Sequence, residues 1–221
     1  MKKRLVLFGT SDFAQLACLY FTEDSPWEVA AFTAHERYIV TTRVLDRDIV
    51  PFERLEATHP PDEYAVFVAI GFKGLNRVRT AIYQECKQRG YELVTYISSR
   101  ATHLGHTRIG DNCFIFENNV IQPFVTIGNN VIVWSGNHIG HHSTIGDHCF
   151  IASHAVISGH VTIGESCFVG VNATFRDGVT VGPRCLIGAV ALIVKDTVPK
   201  SVYPGPRTEP AAYTTDELRN F

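Results

Sequence analysis

From Ile109 onwards every sixth residue is apolar: Ile109, Ile115, Ile121, Ile127, Val133, Ile139, Ile145, Ile151, Ile157, Ile163, Val169, Phe175, Val181, Ile187 and Ile193. Four positions after each stands a second series, mostly small, from Cys113, Asn119 and Val125 to Cys185 and Ala191. A period of six fits neither a 3.6-residue helix nor a simple alternating strand, and short fixed repeats of this kind predict a parallel β-solenoid. Within each hexad the small residue, its successor and the next aliphatic alternate in, out, in, which makes a short strand. The other three positions turn a corner, and glycine follows the aliphatic stop at residues 110, 128, 140, 146, 164, 170, 182 and 188, where a tight corner favours a residue without a Cβ. Three hexads then form one triangular coil, stacked on the last at about 4.8 Å.

Residues eighteen apart therefore lie above one another, and the outward columns define three faces. Thr126, Thr144, Thr162 and Thr180 form a solvated threonine ladder. Phe114, Ile132, Phe150, Phe168 and Leu186 form an apolar stripe, too continuous to stay wet, and an oligomer partner is expected to cover it. The third face is mixed: Val120, His138, Val156, Thr174 and Leu192.

The preceding hundred residues follow a different pattern. Apolar runs at 3–8, 27–33, 64–70 and 91–97 predict strands, and helical spacing predicts helices over 12–21 and 75–89. This alternation predicts a small parallel α/β domain over residues 1–98, followed by the solenoid over 99–207 and a tail over 208–221. Gly9-Thr10-Ser11-Asp12 lies after the first strand and opens a helix, where a Rossmann-type phosphate loop would lie. Ser11 and Ala14 stand in place of its second and third glycines, so the segment also reads as an ordinary strand-to-helix turn. Gly71-Phe72-Lys73-Gly74 supplies a second turn at the same edge.

Composition narrows the classes. With 20 basic and 22 acidic residues the net charge is -2, which suggests no nucleic-acid or membrane partner. The basic start and short apolar run are too brief for a signal peptide and predict a cytoplasmic protein. Of six cysteines, Cys113, Cys149, Cys167 and Cys185 share one inward column and Cys18 and Cys86 fall in helices. They read as reduced core residues, not a disulfide or metal framework.

The step of six with Ile/Val-Gly resembles the hexapeptide acyltransferases, which implies a left-handed β-helix and a homotrimer. With the α/β unit in front, the whole chain resembles the bacterial sugar acetyltransferases of the PglD and NeuD type. That resemblance implies acetyl-CoA as co-substrate, no metal, and a nucleotide-linked amino (dideoxy) sugar as acceptor of an N-acetyl group. O-acetylation of a sugar such as sialic acid is the alternative. It also implies Gly9, Ser11, Asp12, Gly71 and Lys73 at the nucleotide, with the outward His138 towards the sugar.

Eight of ten histidines lie between His103 and His160. His148 and His154 read as solvated, whereas Ile139-Gly140-His141-His142-Ser143-Thr144-Ile145-Gly146 matches the family's histidine motif and makes His141 the general base. Acyl transfer needs a group that removes the nucleophile's proton, and imidazole suits that at neutral pH. The acidic residue often found next is His142 here, so His142, Glu117, Asp147 or an acid from a neighbouring subunit is the candidate orienting group. Gly159 matches the glycine whose N–H faces the thioester carbonyl. Gly159, Gly170 and Gly188 are candidates for the coenzyme A groove. Lys195, Lys200 and Arg207 are candidates for its phosphates, with solvated surface charge as the competing reading. A zinc hydratase of the γ-carbonic anhydrase type shares the solenoid, but its pair of histidines five residues apart is missing.

Overall fold

The computed structural model describes residues 3–217; Met1 and Lys2 of the basic start and the last four residues of the tail lie outside. Strand β1 (Lys3–Phe8) leads to helix α1 (Asp12–Glu23), β2 (Trp27–Ala34), the hairpin β3 (Arg43–Val44) and β4 (Arg47–Pro51), a short helix α2 (Leu55–Thr58), β5 (Tyr64–Val68) and α3 (Arg77–Gln88). The sheet order is β3-β4-β2-β1-β5, parallel apart from the β3–β4 pair. Leu5, Val6 and Leu7 of the central strand are fully buried, as a strand covered on both faces requires.

The run 91–97 is not one strand. Leu93 bridges Val66 of the α/β sheet, whereas Tyr96–Ile97 (β6) pairs with Phe114–Ile115 and starts the solenoid. The chain thus passes from one sheet to the other inside a single apolar run. Beyond it, two-residue strands recur every six residues and stack in sheets of seven, five and six strands. Partners lie eighteen apart, as in Ile132↔Phe150 and Thr144↔Thr162. The inward aliphatics and all four column cysteines fill the solenoid core, and all six cysteines are free and buried.

Corner geometry differs in detail from expectation. Residues in the left-handed region stand two places after the glycines, among them Asn130, His142, His148 and Ser166 (φ 57–63°). The glycines themselves permit close stacking: a Cβ on Gly140 would lie 2.5 Å from Gly159 N, and one on Gly170 2.5 Å from Ala189 N.

The apolar stripe is covered by the chain's own α/β domain, which corrects the expectation of an oligomer partner. The Phe114 ring lies 5.6 Å from Phe13, 5.3 Å from Phe67 and 4.5 Å from Tyr96, and Phe72 contacts Phe150 and Phe168 at 5.0 and 4.9 Å. The sheet face carrying Leu5, Leu7, Phe32 and Phe67 also needed a cover, and with α1 it forms one core with the stripe. Two apolar surfaces tethered in one chain satisfy each other first. Of the two faces left open, the mixed one carries exposed apolar side chains: Val120, Val156 and Leu192 are 41, 42 and 65% exposed. No described helix is long and apolar enough to cross a membrane.

A polar seam locks the two domains together. Arg79, on the buried side of α3, is fully buried and donates to the carbonyls of Gly71 (2.8 Å), His148 (2.9 Å), Cys149 (3.0 Å) and Asn130 (3.3 Å). Asn76 donates to Cys167 O (3.1 Å), and Asn112 accepts from Val68 N–H (2.8 Å). At the other end of the stripe Tyr20 donates to Glu117 (2.8 Å) and Tyr96 to Asp24 (2.7 Å).

Candidate active site

His141 and His142 stand at the corner between the mixed and threonine faces, the one edge of the triangle that does not border the α/β domain. The His141 N–H donates to Gln122 Oε1 (2.8 Å) from the coil below, and His160 N–H in the coil above donates to His141 O (2.9 Å). The backbone beneath the ring is therefore fixed at both levels. His141 Nδ1 lies 3.1 Å from His142 Nδ1. The His142 ring stacks on His160 (4.9 Å, 15°) and rests against Phe124 (4.7 Å).

The other edge of the His141 ring covers Gly159. A Cβ there would lie 2.8 Å from His141 Cε1 and 2.9 Å from Nε2, so glycine is required for the ring to occupy this place. Gly159 O accepts from Gly178 N–H (3.0 Å). The point that Cβ would take is also 3.2 Å from Asp177 Oδ1. Asp177 thus shares the corner with His141, two coils above it. The spacing of thirty-six, twice eighteen, is the signal that would have found it.

Two candidate orienting groups stand elsewhere within the chain. Glu117, at the corner between the packed and mixed faces, is held by Tyr20. Asp147, at the third corner, accepts from Asn129 N–H (2.7 Å). His142 is the candidate in contact with His141. His148 is not simply solvated: it is half-buried, bonds Asn130 Nδ2 through Nδ1 (2.9 Å) and meets the Tyr83 ring edge-on at 5.4 Å. Burial depresses its pKa. It lines a hollow of about 680 Å³ with Arg77, Thr80, Glu165, Ser166 and Arg184. His154 is exposed, as expected.

The coenzyme candidates divide. Exposed Lys195 continues the His141–Gly159–Asp177 column at the end of the ladder. Gly170 and Gly188 occupy the corner between the packed and mixed faces, where close stacking already explains them. Lys200 (N–H to Pro183 O, 2.9 Å) belongs to the third corner, and Arg207 is exposed beyond the final strand, with no strand following it among the described residues.

The nucleotide candidates gather at the carboxyl edge of the α/β sheet, where β1 and β5 end in register at Phe8↔Val68. Gly9 has φ 123°, and a Cβ on it would lie 2.7 Å from Ala69 O, so this glycine is needed for both conformation and closeness. Ser11 sits at the N-cap position of α1 without a side-chain cap bond, and Asp12 lies in the first turn. Gly71 and exposed Lys73 turn out of the same edge. Sequence reasoning missed His35, Glu36 and Glu53, which line a hollow of about 540 Å³ beyond β2 and β4. His35 Nδ1 lies 2.9 Å from Glu53 Oε1, and Glu36 N–H donates to Oε2 (3.0 Å). Partial burial opposes Glu53 ionisation, but bonds from its own N–H, His35 and Glu36 outweigh it and hold the carboxyl at about 2. His138, half-buried on the mixed face, lies three residues before His141 and belongs to the solenoid, not to this edge.

The bacterial transferase hexapeptide family (six repeats) matches residues 106–141, 127–159 and 160–194. Residues 106–194 thus carry the hexapeptide repeat of that family. Curated protein sequences gave no match. Among solved structures, the acetyltransferase domain of PglB from Neisseria gonorrhoeae FA1090 is 23% identical, with a TM-score of 0.80 over 90% of this chain and 95% of that one. Perosamine N-acetyltransferase from Caulobacter crescentus, a His-to-Asn variant in complex with CoA and GDP-perosamine, is 25% identical, with a TM-score of 0.77 over 90% of each chain. WeeI from Acinetobacter baumannii AYE is 18% identical, with a TM-score of 0.76 over 90% and 94%. These likenesses extend through both domains, and the solenoid is the left-handed parallel β-helix that the family resemblance implied.

Proposed function

We propose that this hexapeptide-repeat transferase moves an acetyl group from acetyl-CoA to the amine of a nucleotide-linked amino dideoxy sugar, with His141 as general base. The observation that carries the reading is the His141 ring, tied at Nδ1 to His142 and directed by its other edge at Gly159. With His141 Nδ1–H donating to His142 Nδ1, the Nε2 lone pair is free to take the amine proton. The nitrogen attacks the thioester carbonyl, the Gly159 N–H steadies the developing oxyanion, and the C–S bond breaks as the thiolate leaves and is protonated. His142 then does by hydrogen bonding what an acid does elsewhere, and Asp177 supplies a negative charge near the imidazolium. Lys195 extends the same column towards coenzyme phosphates. The PglB domain was also solved with acetyl coenzyme A, and the perosamine enzyme with CoA and a nucleotide sugar, which supports both co-substrates.

The nucleotide would rest on the Gly9–Asp12 and Gly71–Lys73 turns. Because those turns and His141 lie on opposite sides of one solenoid, a sugar held at the first reaches the second only in a neighbouring copy. A homotrimer packed through the mixed face of Val120, Val156 and Leu192 meets that need. It would also bring the Gly170/Gly188 corner of one chain against the His141 corner of the next. Division at residues 98 and 207 and a cytoplasmic location, where free thiols stay reduced, belong to the same reading.

Thiol release from acetyl-CoA, measured with UDP-, dTDP- and GDP-linked 3-amino and 4-amino sugars beside His141→Asn, tests it. Turnover with one amino sugar and a loss of at least a hundredfold in the variant is expected. Silence across the panel would overturn N-acetylation, and an unaffected variant would overturn the choice of base.

A further inference from the structure

We infer that His141, His142 and His160 form a site for a divalent transition-metal ion of the zinc class, and that filling it switches the base off. One nitrogen from each of the three exposed rings lies within 4.8 Å of the other two. In a tetrahedral site with metal–nitrogen distances of about 2.0–2.1 Å, neighbouring ligands stand about 3.3 Å apart. The Nδ1 atoms of His141 and His142, at 3.1 Å, already have nearly that spacing.

The roots of the three side chains are fixed by the coil. His142 and His160 occupy the same left-handed corner position one turn apart (φ 60° and 57°), with their N–H groups bonded to Pro123 O (3.3 Å) and His141 O (2.9 Å). Closing the third ligand onto the pair therefore needs side-chain rotation alone, and exposed rings rotate at little cost. Three neutral imidazoles suit zinc, copper and nickel and leave a fourth position for water. Asp177, in the same corner column, adds a negative charge that favours a cation.

The consequence follows from the tautomers of imidazole. A neutral ring carries one N–H and one lone pair, so a metal bound at either nitrogen of His141 leaves the other protonated. No lone pair remains to take the amine proton. This second half rests on His141 being the base; the binding half does not.

Isothermal titration of the untagged full chain with zinc chloride tests the site directly. One ion per chain is expected, bound at least tenfold more weakly by His142→Asn and by His160→Asn. A cobalt(II) titration should show tetrahedral ligand-field bands that either variant abolishes. Zinc should inhibit thiol release reversibly, chelator should restore it, and His160→Asn should turn over yet resist zinc. Absence of saturable binding, or binding unchanged in both variants, would overturn the site. Binding without inhibition would overturn the switch. Binding in a chain that acetylates no amino sugar would retire the N-acetylation reading and support the metal site.

Discussion

Replacing Arg79 with methionine keeps most of the aliphatic stem and removes the guanidinium charge buried in the seam between the domains. The carbonyls of Gly71, Asn130, His148 and Cys149 each lose a charge-assisted donor, at 2.8–3.3 Å. Such bonds contribute about 1.5–3 kcal/mol apiece, but burying the guanidinium costs several kcal/mol. That cost shows in its pKa, which burial pulls down to about 10, still protonated at neutral pH. Leaving these carbonyls short of a donor costs about 1–3 kcal/mol each, and relief of the buried charge offsets part of that, so a net loss of about 3–5 kcal/mol is expected. For a chain of this size that is a fall in Tm of roughly 6–20 °C. Urea unfolding can be read domain by domain, because Trp27 lies on β2 and Trp134 on the solenoid, stacked on Phe116 (4.5 Å, 13°). Wild type should unfold in one transition, and Arg79→Met should separate the two tryptophan signals, since the seam couples the domains. A loss below about 1 kcal/mol with coincident signals would refute the reasoning and mean that water or the carbonyls' other partners compensate.

Phe150→Asp places a charge in the core shared by both domains and should cost about 4 kcal/mol or more in urea unfolding, whereas Leu192→Asp on the open face should change stability little and shift sedimentation towards monomer. Gly159→Ala puts a methyl within 3 Å of the His141 ring; kcat should fall about a hundredfold with the far-ultraviolet circular dichroism unchanged, and full activity would sever Gly159 from the site. Asp24 is held below its usual value first by the Tyr96 hydroxyl and then by Ser99 N–H, so its contribution is complete above the ordinary aspartate range and fades as pH falls through it. Asp24→Asn should therefore flatten the acid limb of a stability–pH profile, and an unchanged limb would refute that assignment.

How much of this was legible in advance depends on where each contact is encoded. The solenoid is local in eighteen-residue steps, so its core, its threonine ladder and its cysteine column could be read by counting, and so could Asp177 above His141. The stripe of Phe114, Ile132 and Phe150 was legible as a surface needing cover, but its partner is a sheet face whose residues alternate with a different period. Nothing in either pattern says that the two belong together. Arg79 shows why: a charged residue beside Val78 reads as the wet side of a helix, yet Val78 is 45% exposed and Arg79 is buried. The helix is rotated by what it meets, corner carbonyls left without donors at left-handed turns, and backbone demand of that kind leaves no mark in the hydrophobic pattern. The same logic separates the two halves of the candidate site. The placement of His141 at a solenoid corner was legible because the corner repeats, whereas His35 and Glu53 meet only because two parallel strands end side by side, an adjacency set by sheet order and not by spacing. Function in such a chain is therefore easiest to read on the solenoid and hardest at the α/β edge, where the acceptor's identity would be decided.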